Sequence, residues 1–264
     1  MSTRQTHLNK DAIAPTGLPT LARFRLVPPG GVRLNADSVT IEAGEVNEFV
    51  NMIDGGLYGA PSNMNYAIVE AVNGVNVAKF DPTLAATPTG YSLNNLGFGA
   101  LNTGQYTFAG LWKVTDAFVG AKPREILAAA FNGASGRAAL REDASGAPQA
   151  RAQRTASDAV TIVSIFSPVR IGGWVAAAGV YDWTNNLVTI HDLLGTESVS
   201  AAITGTPGAA PSDINAYRLG YFASATERFV GQLADYIHLP YIPSDPELMA
   251  LKIHMQARAT DLAA

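Results

Sequence analysis

Four histidines carry the most obvious chemistry: His7, His191, His238 and His254. No two share a metal-ligand spacing, and the chain has no cysteine. A zinc-type site needs several such ligands together, so no metal or cofactor is expected. Cleavage of a glycosidic bond needs two carboxylates facing the bond. Alternate acidic residues along one strand would supply them, and no such run occurs. The nearest pairs are Glu142-Asp143, read as a turn, and Asp245 with Glu247, read as a helix cap. Asp182, Asp192 and Glu197 fall near one expected sheet end, but a hard cation wants about six oxygens. They read as turn residues. Gly-x-Ser-x-Gly is absent, and Gly55-Gly56 has no phosphate-loop lysine after it. The chain is expected not to be an enzyme.

Binding remains. A sugar site presents an aromatic face with amides or carboxylates beside it. Three groups have that composition: Tyr58 with Asn63; Tyr181, Trp183 and Asn185; and Tyr221. The competing reading is that these aromatics cap the core or face another subunit.

The elements that must position these groups are strands. Of 264 residues, 47% are hydrophobic and 15% charged, enough for a sizeable core. The net charge of −4 argues against nucleic-acid binding, which calls for a basic patch. No apolar run is long enough to insert in a membrane, and the polar N-terminus has no signal-like segment. Residues 1–36 are broken by Pro15, Pro19, Pro28, Pro29 and Gly30-Gly31 and read as an extended arm. Leu18, Leu21, Phe24, Leu26 and Val27 give that arm apolar material for packing on a neighbouring copy. Residues 37–264 read as one domain of about a dozen short strands with turns every ~8–12 residues, the pattern of a sandwich or barrel. Asn73-Gly74 is a type I′ hairpin signal. Gln105–Val114 carries apolar or small residues on both parities, as a strand covered on both faces does. Ala159–Phe166 and Gly173–Tyr181 read as buried strands. Gln149–Arg154 reads as exposed. A single short helix follows the capping box Ser244–Glu247, with Leu248, Leu251 and Met255 on one face. It is expected to close one end of the domain or to pack on a partner.

The order of these pieces resembles the laminin-G-like, concanavalin A-like jelly rolls found in bacterial and phage proteins. The resemblance rests on Val75–Asp81, Tyr106–Lys113, Trp174–Asp182 with Asn185-Asn186, Leu219-Gly-Tyr-Phe222, Phe229–Leu239 and the helix Pro246–Arg258. One departure is Leu193–Ser198, which replaces a shorter hairpin. The resemblance implies an all-β antiparallel jelly-roll sandwich. With the Pro-rich apolar arm, the polar N-terminus without a signal-like segment and the low-charge, Ala/Gly/Thr-rich composition, the expected role is a structural or adhesive component of a bacteriophage virion, made in the host cytoplasm. Such a protein would contact other virion proteins, copies of itself through the arm, and host surface glycan. The alternative is a stand-alone carbohydrate-binding lectin module. A polysaccharide hydrolase or lyase ranks third.

Overall fold

A computed structural model describes residues 31–53, 55, 57–59, 67–81, 91–92, 104–114, 124–132, 135–208, 210–214, 216–220 and 229–264. Residues 1–30 of the expected arm lie outside that set. The described residues form two antiparallel sheets and one helix.

One sheet holds β1 (Val32–Leu34), β5 (Ala67–Val72), β6 (Val75–Phe80), β8 (Gln105–Val114), β13 (Val175–Asp182), β14 (Leu187–Asp192), β15 (Ser198–Ala202) and β17 (Gly231–Leu239). Its order is β15-β14-β13-β8-β17-β6-β5, with β1 also paired to β17. The other holds β2 (Val39–Glu42), β3 (Glu45–Val50), β4 (Leu57–Gly59), β7 (Tyr91–Ser92), β9 (Arg124–Asn132), β10 (Ser135–Asp143), β11 (Pro148–Ala152), β12 (Thr161–Ser164) and β16 (Ala216–Leu219). Its order is β12-β11-β10-β9-β16-β7-β4-β3-β2. Helix α1 spans Asp245–Ala263.

β8 shows why the layers stack as they do. Tyr106, Phe108 and Trp112 point between the sheets into the main core, with Leu140, Tyr181, Tyr217 and Tyr236. Ala109 and Leu111 point the other way, into a second core built with Trp174, Ile237, Leu251 and Met255. The doubly apolar strand is therefore covered on both faces, by the second sheet and by α1.

The helix is longer than the sequence suggests, and it packs on its own sheet rather than at an end. Leu251, Met255, Ala259 and Leu262 form its buried stripe. Glu247 accepts from the Ser244 N–H at 2.8 Å and from its hydroxyl at 2.6 Å. The other end is held by Asn73, whose amide donates 2.9 Å to the Leu262 carbonyl. Asn73 and Gly74 have φ of 49° and 78°, the pair of positive values a type I′ turn requires.

β1 lies within the segment expected to be arm. Val32 and Leu34 are fully buried, and β1 pairs with β17 from Val32–His238 to Leu34–Tyr236. Arg33 between them reaches the fully buried Asp235, with Nη2 2.8 Å from Oδ2. His254 Nε2 of α1 stands 2.6 Å from the same oxygen. This cluster ties β1, β17 and α1 together. Burial pushes the Asp235 carboxyl up, but Arg33 and His254 outweigh it and hold it down at about 2. The contribution is therefore complete above the unfolded value of 3.8 and fades as pH falls toward 2. Asp235→Ala is expected to cost about 3–5 kcal/mol in a urea melt, because Arg33 then stays largely buried without its partner.

Glu142-Asp143 closes β10 rather than forming a turn. The Trp112 indole N–H crosses between the sheets to Glu142 at 2.8 Å, and Arg170 Nη2 meets the other carboxylate oxygen at 2.7 Å. Burial raises this carboxyl; Arg170 and Trp112 oppose it.

Candidate functional site

The sequence-nominated residues scatter. Tyr181 and Trp183 are fully buried in the core between the sheets. Their rings lie 6.4 Å apart and near-parallel, with Tyr106 5.2 Å from Tyr181. A ring without exposed surface offers no face to a sugar. Burial pushes the Tyr181 hydroxyl up, against the pull of Arg141 and Arg151. Asn185 is exposed, but its backbone N–H and amide both donate to Asp182, at 2.9 and 2.8 Å. Tyr58 lies in β4, in register with Phe49. Asn63 and Tyr221 lie outside the described residues. Asp192 accepts three backbone N–H groups, from Val169, Leu194 and Gly195. It clamps a turn. Among the described residues no cluster of three or more histidines or carboxylates has a metal-holding arrangement.

A different surface has the makings of a binding site: the outer face of the nine-stranded sheet. Strand pairing fixes what lies on it. Ala128, Ala138, Leu140, Ala150, Ala152, Val163, Tyr217 and Leu219 face the core, so their neighbours face out. Across five strands one row runs Arg218, Ala129, Ala139, Arg151, Ile162. The next row runs Arg141, Gln149, Ser164. The Cα positions of Arg218 and Arg151 stand three strand spacings apart, about 14 Å; both residues are half-buried, while Ala129, Ala139 and Arg141 are buried.

Hydrogen bonds order this lattice. Arg141 Nε donates 2.9 Å to Gln149, whose amide donates 2.9 Å to Asp143. Arg151 donates 3.1 Å to the Gly136 carbonyl and 2.8 Å to Gln153. Arg137 Nε donates 3.1 Å to Asp213. The chain is net acidic, yet four arginines gather on these strands, Arg137 and Arg141 buried and Arg151 and Arg218 half-buried.

Ile162 and Phe166 are exposed on the edge strand and just past its end, Ser164 between them is buried, and Val163 and Ile165 enter the core. Phe166 is 80% exposed and Ile162 41%. The sequence reading buried this whole run and also left Gln149–Arg154 exposed. In fact β11 is half-buried, with Ala150 and Ala152 inside. β12 ends at Ser164, and Pro168 bars its continuation past Phe166, whose ring stays at the rim. An exposed ring near a sheet face that carries guanidinium and amide groups suits a hydroxylated or carboxylated ligand.

The fold has structural relatives. The receptor-binding domain of botulinum neurotoxin type G is similar at a TM-score of 0.55 and 8% identity, over 84% of this chain and 51% of that one. The binding domain of botulinum neurotoxin DC, solved in complex with SialylT, gives 0.51 and 7% over 85% and 51%. The CBM40 of the Ruminococcus gnavus IT-sialidase gives 0.50 and 16% over 62% and 92%. The chain spans about half the length of the two toxin domains. At these identities the likeness shows a shared β-sandwich fold. No family model and no curated protein matches the chain.

Proposed function

We propose that this protein is a carbohydrate-binding module that holds a sugar on the outer face of its nine-stranded sheet. The observation that carries the reading is the exposed Phe166, two residues beyond the strand whose Ile162 and Ser164 pair with Arg151 and Gln149. The ring supplies an apolar platform, and the amide and guanidinium groups supply directed donors. The positive charge of the half-buried Arg151 and Arg218 on that face favours a sugar bearing a carboxylate. A binding domain of the same fold was solved with SialylT, which agrees with an acidic glycan. The expected virion role and self-association rest on the arm, of which residues 1–30 lie outside the described residues, and on the chain's composition. No feature of the described sandwich favours them over glycan binding.

The test is titration of the whole chain with sialyllactose and with lactose. Binding to sialyllactose alone supports the reading in full. Equal binding to both keeps the sugar and removes the carboxylate. No binding to either, nor to any member of a glycan array, overturns it. Phe166→Ala is expected to weaken binding about tenfold, roughly 1.4 kcal/mol, while moving stability by no more than about 0.5 kcal/mol, as an exposed ring should. Calorimetry and a urea melt on the same protein separate the two.

A further inference from the structure

The other sheet carries a different arrangement on its outer face. Strand pairing sets one row across five strands: Ile237, Ala109, Ala178, His191, Ser198. Helix α1 covers the first three, which belong to the core beneath it. His191 comes next, half-buried at the flank of the helix, and Ser198 stands exposed at the rim. The Ser198 hydroxyl lies 3.0 Å from His191 Nδ1.

We propose that Ser198 is a nucleophile activated by His191, able to take an acyl group from a small carboxylic ester in the corner between α1 and the β14–β15 hairpin. Three observations meet there. The hydroxyl and imidazole are within the 2.6–3.2 Å reach that proton transfer requires. The hydroxyl is open to solvent and the imidazole is half-buried. Two charges of α1 act on the ring: Asp245 at the helix start and Lys252. Lys252 is anchored by its bond to the Gly195 carbonyl at 3.2 Å, in the loop that joins the two strands. Burial holds the imidazole below its ordinary value, Lys252 adds to this and Asp245 opposes it. The ring is therefore neutral near pH 7 and free to accept a proton.

The chemistry balances without a further reagent. Ser198 Oγ forms a bond to the ester carbonyl carbon while its proton passes to His191 Nδ1. The tetrahedral species collapses, the ester C–O bond breaks, and the leaving alcohol takes that proton. Water then attacks the acyl-serine, gives its proton to His191, and the acid departs as Ser198 Oγ regains a proton. The neighbouring pair provides a control on the same face. Thr189 and Ser200 share a hydroxyl–hydroxyl contact of 2.8 Å with no imidazole in it.

The experiment uses the intact chain, a fluorophosphonate probe and p-nitrophenyl acetate. The expected result is one phosphonyl adduct, mapped by mass spectrometry to Ser198 and not to Ser200. Ester hydrolysis should fall about 100-fold in both Ser198→Ala and His191→Gln, the lower range for loss of a general base. Ser200→Ala should hydrolyse as the parent does. All three positions lie at or near the sheet edge, and unchanged melting curves show that the variants remain folded. No adduct on Ser198 overturns the proposal. So does hydrolysis that survives Ser198→Ala but not His191→Gln, which makes the imidazole itself the nucleophile. None of these outcomes depends on glycan binding, which lies on the opposite sheet.

Discussion

Replacing His238 with phenylalanine will stabilise this protein, and the gain will grow as the pH falls below 6.5. His238 sits on β17 with its ring turned between the sheets, fully buried. Phe108 and Tyr217 each lie 4.9 Å from it and Tyr106 5.8 Å. Neither ring nitrogen has a hydrogen-bond partner among the described residues. A buried polar group left unpaired costs about 1–3 kcal/mol. Phenylalanine keeps the ring volume and removes that cost, so a gain of about 1–3 kcal/mol is expected at pH 7.

The pH dependence follows from the same burial. It lowers the imidazole from 6.5 to about 3 in the folded protein. Between those values the unfolded chain binds a proton that the folded one refuses, so acid favours unfolding. Stability is complete above 6.5. Below it, stability declines by about 1.4 kcal/mol per pH unit until the folded value is reached. The phenylalanine variant lacks this slope. His191 and Glu142 also titrate with shifted values, but they are common to both proteins and cancel in the difference. Asp235 acts only below 3.8. Urea melts of the two proteins at pH 7.5, 6.0, 5.0 and 4.5 therefore isolate His238. Parallel stability curves over that range would sink the argument.

His238 also shows where sequence pattern stops. Alternation says that two parities of a strand face opposite ways. It does not say which is dry. In β8 both parities are apolar, so coverage on both faces follows directly, and the two cores confirm it. Asn73-Gly74 and the Ser244–Glu247 box are equally local, and both form as expected. Tyr181 and Trp183 differ. Their burial depends on segments far along the chain: the Trp183 N–H bonds to Gly104, its carbonyl accepts from Gly208 and Arg154, and the Arg154 guanidinium lies 5.6 Å over its ring. Nothing near residue 183 announces those partners. β12 fails in the opposite sense. Its apolar run looks like a central strand, but it is the last strand of its sheet, and Ile162 on it and Phe166 just past its end stay exposed. Neither the three-layer arrangement nor the arginine row is visible in local pattern, because both come from strand order. Residues 218, 129, 139 and 151 meet only once β16 lies beside β9.

Gly231→Ala is expected to cost about 3 kcal/mol, at the upper end for overpacking a core. Gly231 stands where two backbones approach, and the structure shows which backbone it meets. β17 runs between β6 and β8, with Gly231 opposite both Phe80 and Val114. A Cβ built at Gly231 would lie 2.3 Å from the Lys113 carbonyl oxygen and 3.1 Å from the Val114 Cα. Those are main-chain atoms of a paired strand, so relief requires moving β8, the strand shared by both cores. Gly110 offers the contrast. A Cβ there also comes within 2.3 Å of an atom, but that atom is Cδ2 of the Leu127 side chain. A rotamer change can relieve it, so Gly110→Ala should cost less. Gly208 has nothing within 4 Å and no positive φ, and Gly208→Ala should be neutral within about 0.5 kcal/mol. Urea melts of the three variants test the order Gly231, Gly110, Gly208. If Gly231→Ala proves as mild as Gly208→Ala, the strands there do not lie as close as the fold places them. The same three alanines separate space from backbone freedom, because none of the three glycines has the left-handed φ that alanine resists.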